Sequence, residues 1–429
     1  MHPNAITALT ERLGTIAKEM IYLFGPNHCK RVLEERAPIT SGFTFTAQGH
    51  MEFDKVVEQL LVKDRWADKY SEKHLRDKLY EVLRSAATSG STDPLPGSVA
   101  ALVAEYEAFD KELIVCIPIV GVHMGMDELQ LGDVRLVKMT DEAFARLKER
   151  CRSIVMQTAH NVATRHQMVD HMETEYLSKF KGRVCAEVRV VAEWRRAEEI
   201  ALDSVRRIVD LLRVAVLFGN ETTHKIVLGL QGETCDETRA VIGIQTDEEN
   251  LHWIGTVVFY ALQLTQAAVQ QLTEQGLMTV VDLYQKAKRS EFENLIISAV
   301  HWLASAQAQF ENSNALLNLV TCLETFLKPA KDDPITATIA EGVAILTATE
   351  LEERKRIKTR IKQFYGMRSK LTHEGSGDID DATLRELTVI ARELTVRMIR
   401  RVNEFSKQDD LRNWIEDQRL GGGAASPPC

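Results

Sequence analysis

Residues 361–377 read IKQFYGMRSKLTHEGSG. Ile361, Phe364 and Leu371 continue a stripe that begins at Ile357, with steps of four, three and seven, which is the spacing of one helix face. Arg368 falls in the same stripe. Helix geometry therefore sends its guanidinium into a bundle or an interface, where an unpaired ion is costly. It needs a carboxylate, a phosphate or a water-filled cleft. His373 would face away from the stripe if the helix ran on. Gly375, Ser376 and Gly377 end the helix, so the last turn can unwind and redirect the imidazole, with glycine supplying a left-handed cap.

The surrounding sequence is helical too. Residues 291–306 carry Leu295, Ala299 and Leu303 on one face. After Asn312-Ser313, a stripe of Leu316, Val320, Leu323 and Leu327 runs until Pro329 stops it. KDDP opens a less regular linker to about residue 348. A third helix covers about 351–372. A fourth starts near Asp380 and carries Leu384, Leu387, Ala391, Leu394, Met398, Val402 and Phe405. Four such helices make a bundle. The closing GGGAASPPC reads as a disordered tail.

Earlier segments differ. Ile6, Leu9, Leu13, Ile16, Met20 and Leu23 form one helix face, ended by Gly25-Pro26-Asn27. A helical zone from about Phe53 to Leu83 precedes a looped connector, SAATSGSTDPLPGS at 85–98, and a short helix centred on Val103. ELIVCIPIVGV at 112–122 and RVCAEVRVVAEW at 183–194 are strand-like. ELQLGDVRLVK at 128–138 places Gly132-Asp133 between two short apolar stretches, a tight β connection. Thr140 caps a helix running towards His171, and 198–218 is a strongly periodic helix. HKIVLGL and AVIGIQ add two strands. The expected fold is α+β overall but mainly α. It has a helical N-terminal region (1–110), an α+β region (111–290), a helical bundle (291–408) and a tail (409–429).

The chain has 429 residues, 45% hydrophobic and 27% charged, enough apolar material for more than one core. A net charge of −9 does not suggest a chromatin-like polyanion binder, so any nucleic-acid surface must be a local patch. The sharpest patch is Arg354, Lys355, Arg356, Lys358, Arg360 and Lys362, leading towards Arg368 and Lys370. Seven scattered cysteines without CxxC read as reduced thiols of a cytoplasmic protein. No apolar run approaches a membrane span. No GxxxxGK[ST], GxGxxG or HExxH occurs, and His160, His166 and His171 do not align on one helix face. Neither a metal nor an organic cofactor is expected. Trp194, Trp253 and Trp302 read as core or interface aromatics.

Arg–x4–His spacing alone discriminates little, since Arg165 and His171 form a second, similar pair. The setting of Arg368 is more specific. Leu323-Glu324 on an early helix, then Tyr365, Arg368-Ser369, His373 and Gly375, resembles the Apea-like HEPN family over about residues 291–408. Ser369 stands where many active HEPN ribonucleases carry Asn, Asp or His. The resemblance implies a HEPN four-helix bundle that forms a homodimer or higher homo-oligomer. Two Arg/His pairs would then meet across a symmetric interface and cleave RNA without a metal. It makes Arg368, His373 and Glu324 the catalytic candidates. Arg354, Arg356, Lys358, Arg360, Lys362 and Lys370 are the RNA-binding candidates. A protein or phage-derived trigger acting on the first two regions completes the expected partners, with no membrane among them. The alternative is a non-catalytic dimerisation or ligand-binding module in which Arg368 simply pairs with Glu324.

Overall fold

The stripe at the start of the chain forms helix α1 (Pro3–Lys18), which buries Leu9, Leu13 and Ile16. The helix stops sooner than its sequence spacing indicates. Met20 already belongs to strand β1 (Met20–Tyr22), antiparallel to β2 (Phe43–Phe45). The computed structural model describes residues 1–22, 43–89, 91–158, 162–216, 227–230, 233, 240–244, 251–255, 261–327, 334–375 and 377–421. Leu23 and the Gly25-Pro26-Asn27 stop therefore lie outside the described residues, as do Cys29, His160, Pro329 and the GGAASPPC end.

Helices α2 (Ala47–Glu58), α3 (Glu72–Ser89) and α4 (Leu95–Glu107) pack on α1. Thr46 caps α2, its hydroxyl accepting from the Gly49 N–H at 3.1 Å. The connector expected over 85–98 is mostly helix. Buried Leu83 and Ala86 carry α3 to Ser89, and Pro96 sits in the first turn of α4, where a missing N–H costs nothing.

Next come β3 (Glu112–Val120), β4 (Val122–Met124), β5 (Glu128–Leu131), β6 (Val134–Lys138), α5 (Asp141–Thr158), α6 (Val162–His171), β7 (Val184–Val191) and α7 (Trp194–Val216). Short strands β8 (Gly229–Leu230), β9 (Ala240–Ile244), β10 (Leu251–Gly255) and β11 (Leu262–Leu264) follow. One five-stranded sheet has the order β5-β6-β7-β3-β8. Gly132-Asp133 joins β5 to β6 as a two-residue hairpin turn, with Gly132 at φ 64° and Glu128 opposite Val137. The Thr140 cap is present, its hydroxyl accepting from the Ala143 N–H at 3.2 Å. Trp194, expected inside a core or an interface, is 62% exposed at the start of α7.

The rest is helical: α8 (Gln266–Glu274), α9 (Leu277–Gln285), α10 (Glu291–Gln307), α11 (Asn312–Leu327), α12 (Ile335–Thr347), α13 (Leu351–Glu374), α14 (Asp381–Arg400) and α15 (Gln408–Arg419). The whole is mainly helical with a small sheet region. Two departures from the sequence reading stand out. The segment expected as linker to residue 348 contains α12, so among the described residues five helices, not four, pack together between residues 291 and 400. Most of the expected tail is α15, which buries Leu411 and sets Trp414 beside Arg401, with the guanidinium carbon 4.0 Å from the indole centroid.

Contacts divide the chain into two units. One is Met1–Val115 with Arg189–Asp203, and the other is Cys116–Val188 with Ser204–Cys429. The first has its core at Leu13, Phe53, Trp66, Tyr70, Leu79 and Val99. In the second, no division falls near residue 290, because α9 packs on both α10 and α14 and Arg400 donates to Gln275 Oε1 at 3.1 Å. No helix among the described residues is long and apolar enough to cross a membrane.

Candidate functional site

Helix α13 positions the expected site. Ile357, Ile361 and Phe364 are buried along one face, as their spacing requires, and Tyr365 joins them at 6% exposure. The helix stays regular through Glu374. Gly375 then adopts φ 66°, and its N–H reaches the Leu371 carbonyl at 3.2 Å. This is the left-handed cap that glycine favours.

Arg368 lies in the buried stripe but near the helix end, where the guanidinium is not enclosed. Its side chain is 41% exposed. The partner it needs is Glu324 on α11: Arg368 Nη2 is 3.6 Å from Glu324 Oε1. The same Oε1 accepts from the Tyr365 hydroxyl at 3.0 Å. Arg368 also sits above its neighbour's ring, with its guanidinium carbon 6.0 Å from the Tyr365 centroid. Burial, followed by the nearby Glu324 carboxylate, pushes the Tyr365 phenol well above its ordinary pKa. At neutral pH this phenol keeps the proton that it donates to Glu324.

His373 does not turn towards Arg368. With about 100° per residue, five helical positions separate the two side chains by about 140° around the axis. The unwinding expected at the glycines is absent, because the cap at Gly375 closes the last turn. His373 is exposed, and no hydrogen bond or ion pair joins its imidazole to another described residue. Helix geometry places it in one exposed stripe with Lys362, Gly366, Ser369 and Lys370. Within one chain the structure thus brings Glu324 to Arg368 but leaves His373 on another side of α13.

The basic run is less cationic than its sequence. Arg354 donates to the Ala348 carbonyl at 2.8 Å. Lys355 pairs with Glu352 at 2.6 Å, and Arg356 with Glu353 at 2.7 Å and Glu386 at 3.2 Å. Lys358 faces Glu341 at 3.7 Å. Arg360 binds Glu386 at 2.5 Å and lies 5.0 Å from the Phe364 ring centroid. The hydrogen bond from Arg360 holds the Glu386 carboxyl below its usual range. Of the six expected RNA-binding residues, Lys362 and Lys370 remain exposed with no ion pair to the described residues. Three of the neutralising partners, Glu352, Glu353 and Glu386, lie one helical turn away or on α14, so a run of basic letters read alone overstates the patch.

A second polar cluster escaped the sequence reading. On α7, Asp210 is nearly buried and lies 2.8 Å from His301 Nδ1 on α10 and 3.3 Å from Arg213 Nη1. Arg213 also donates to the Leu228 carbonyl at 2.9 Å. The hydrogen bond to Asp210 raises the His301 pKa. The available signal was an aspartate inside the apolar run IVDLLRV, which demands a partner much as Arg368 does. Among the described residues, no group of three or more His, Cys, Asp or Glu side chains is placed to hold a metal ion. No protein-family model, curated protein or solved structure matches this chain.

Proposed function

We propose that the chain is a metal-independent RNA endonuclease of the HEPN type. It would act as a toxin or antiviral, abortive-infection effector, with the regions before residue 291 sensing a trigger or restraining the nuclease. The observation that carries this reading is Arg368. It is a cation in an otherwise apolar stripe, held beside Glu324 yet 41% exposed, five residues before an exposed histidine. RNA carries its own nucleophile. The 2′-oxygen attacks the adjacent phosphorus as His373 takes its proton, and Arg368 holds the phosphate oxygens as charge builds. The 5′-oxygen leaves with a proton, and a 2′,3′-cyclic phosphate remains.

While α13 stays helical, one copy cannot turn both side chains onto one phosphate. The reading therefore requires a second copy, with Arg368 of one meeting His373 of the other across a symmetric interface. Lys362 and Lys370, in the same stripe as His373, have no ion pair among the described residues and can meet the RNA backbone without displacing a carboxylate. Arg356, Lys358 and Arg360 would have to exchange Glu353, Glu341 and Glu386 for phosphate.

The test is RNA cleavage by the purified full chain in EDTA, beside Arg368→Ala and His373→Ala. Each substitution is expected to slow cleavage by about 100-fold or more, the usual worth of a positioned acid–base or charge-stabilising group. Equal cleavage by all three proteins overturns the reading. A second reading, a non-catalytic dimerisation or ligand-binding module, draws on the Arg368–Glu324 contact itself. It predicts that both variants assemble and bind as the wild type does and that none of the three cuts RNA.

A further inference from the structure

We propose that Tyr365 is a positioning residue, its hydroxyl setting the place of the Arg368 guanidinium by way of Glu324. The inference deepens the nuclease reading and rests on it for the role of Arg368. One carboxylate oxygen, Glu324 Oε1, takes both the phenol at 3.0 Å and the guanidinium at 3.6 Å. The phenol is the fixed member of this trio. Its ring is 6% exposed among the helices, and burial keeps it protonated, so it donates to Glu324 throughout the working pH range.

Arg368 is the loose member. A single long contact on a side chain this exposed is too weak to hold four rotatable bonds in one arrangement. What gives Arg368 a defined place is the carboxylate that Tyr365 anchors, together with the aromatic face beneath it. Its other N–H groups make no hydrogen bond to described residues and are left for a phosphate. Tyr365 thus plays the part that supporting hydrogen bonds play around other reactive groups, acting through a neighbour without touching the substrate.

Tyr365→Phe separates this role from packing, because it keeps the ring and removes only the hydroxyl. Two measurements decide, both on the full chain. The first is the order parameter of the Arg368 Nε–H bond in protein labelled with nitrogen-15 arginine. It is expected to fall in Tyr365→Phe and in Glu324→Ala. The second is turnover of a fluorescein-labelled single-stranded RNA. Here Tyr365→Phe should lower kcat about fivefold, the worth of one ordinary hydrogen bond, with KM little changed. Tyr365→Phe combined with Glu324→Ala should be no worse than Glu324→Ala alone, because the hydroxyl acts through that carboxylate. An unchanged order parameter in Tyr365→Phe, or effects that add in the double variant, overturns the inference. If the wild type cuts no RNA, the nuclease reading falls, and the arginine order parameter still decides whether Tyr365 positions Arg368.

Discussion

Arg368 shows how far a single residue can be read from its letters. Its place in the stripe required a partner, and Glu324 is that partner. The same stripe also implied burial, and there the structure differs: the Arg368 side chain, in the last two turns of α13, is 41% exposed. The energetic consequence changes with it. A buried pair broken on one side costs about 3–5 kcal/mol, whereas an exposed pair is worth about 0–1. Arg368→Ala should therefore shift the urea-unfolding free energy by no more than about 1 kcal/mol. A loss of about 3 kcal/mol or more would show that the guanidinium is enclosed in solution. A melt consequently does not separate the nuclease from the binding module, and RNA cleavage has to.

At the scale of elements, two glycines make opposite predictions. Gly342 on α12 faces the end of α11 so closely that a Cβ would meet Leu327 Cδ2 at 2.8 Å. Gly342→Val should cost about 1–3 kcal/mol through overpacking. Gly366 on α13 has nothing within 4 Å of an added Cβ. Gly366→Ala should stabilise by about 0.5–1 kcal/mol, through helix propensity alone. Urea midpoints check both, and similar shifts of the same sign would contradict the packing described. These helices also mark what was legible in the sequence. α10, α11, α13 and α14 carry large aliphatic residues at regular steps and were readable. α12 was not, because its buried face is mostly Ala340, Gly342, Val343 and Ala344, small residues whose role is close approach. α15 was not legible because the helix buries only Leu411, too little apolar spacing to mark a face. At the site, the Glu324 helix and the Arg368 stripe were legible, while the orientation of His373 depended on one cap at Gly375 that spacing does not specify. Tyr365 is buried, and its hydroxyl contact depends on the register of α11 against α13.

At the scale of the whole molecule, a nearly buried charge lies away from the proposed site. Asp210 takes His301 on one oxygen and Arg213 on the other, joining α7 to α10. The hydrogen bond to Asp210 raises the His301 pKa above its ordinary value, against opposing contributions from burial and Arg213. A histidine whose pKa is higher in the folded state stabilises the fold fully below its unfolded value of about 6.5. That contribution is lost as pH rises through the folded value. Stability should therefore decline between about pH 6 and pH 8. The decline should be less than about 1 kcal/mol, because the His301 side chain is 58% exposed and solvent screens the pair. Asp210→Asn should flatten this slope. Asp210→Ala should go further and cost about 3 kcal/mol at either pH, since it removes the carboxylate paired with the largely buried Arg213. Urea unfolding of the three proteins at both pH values measures slope and offset together. A wild-type slope that persists in Asp210→Asn would mean that another group, not His301 against Asp210, carries the pH dependence.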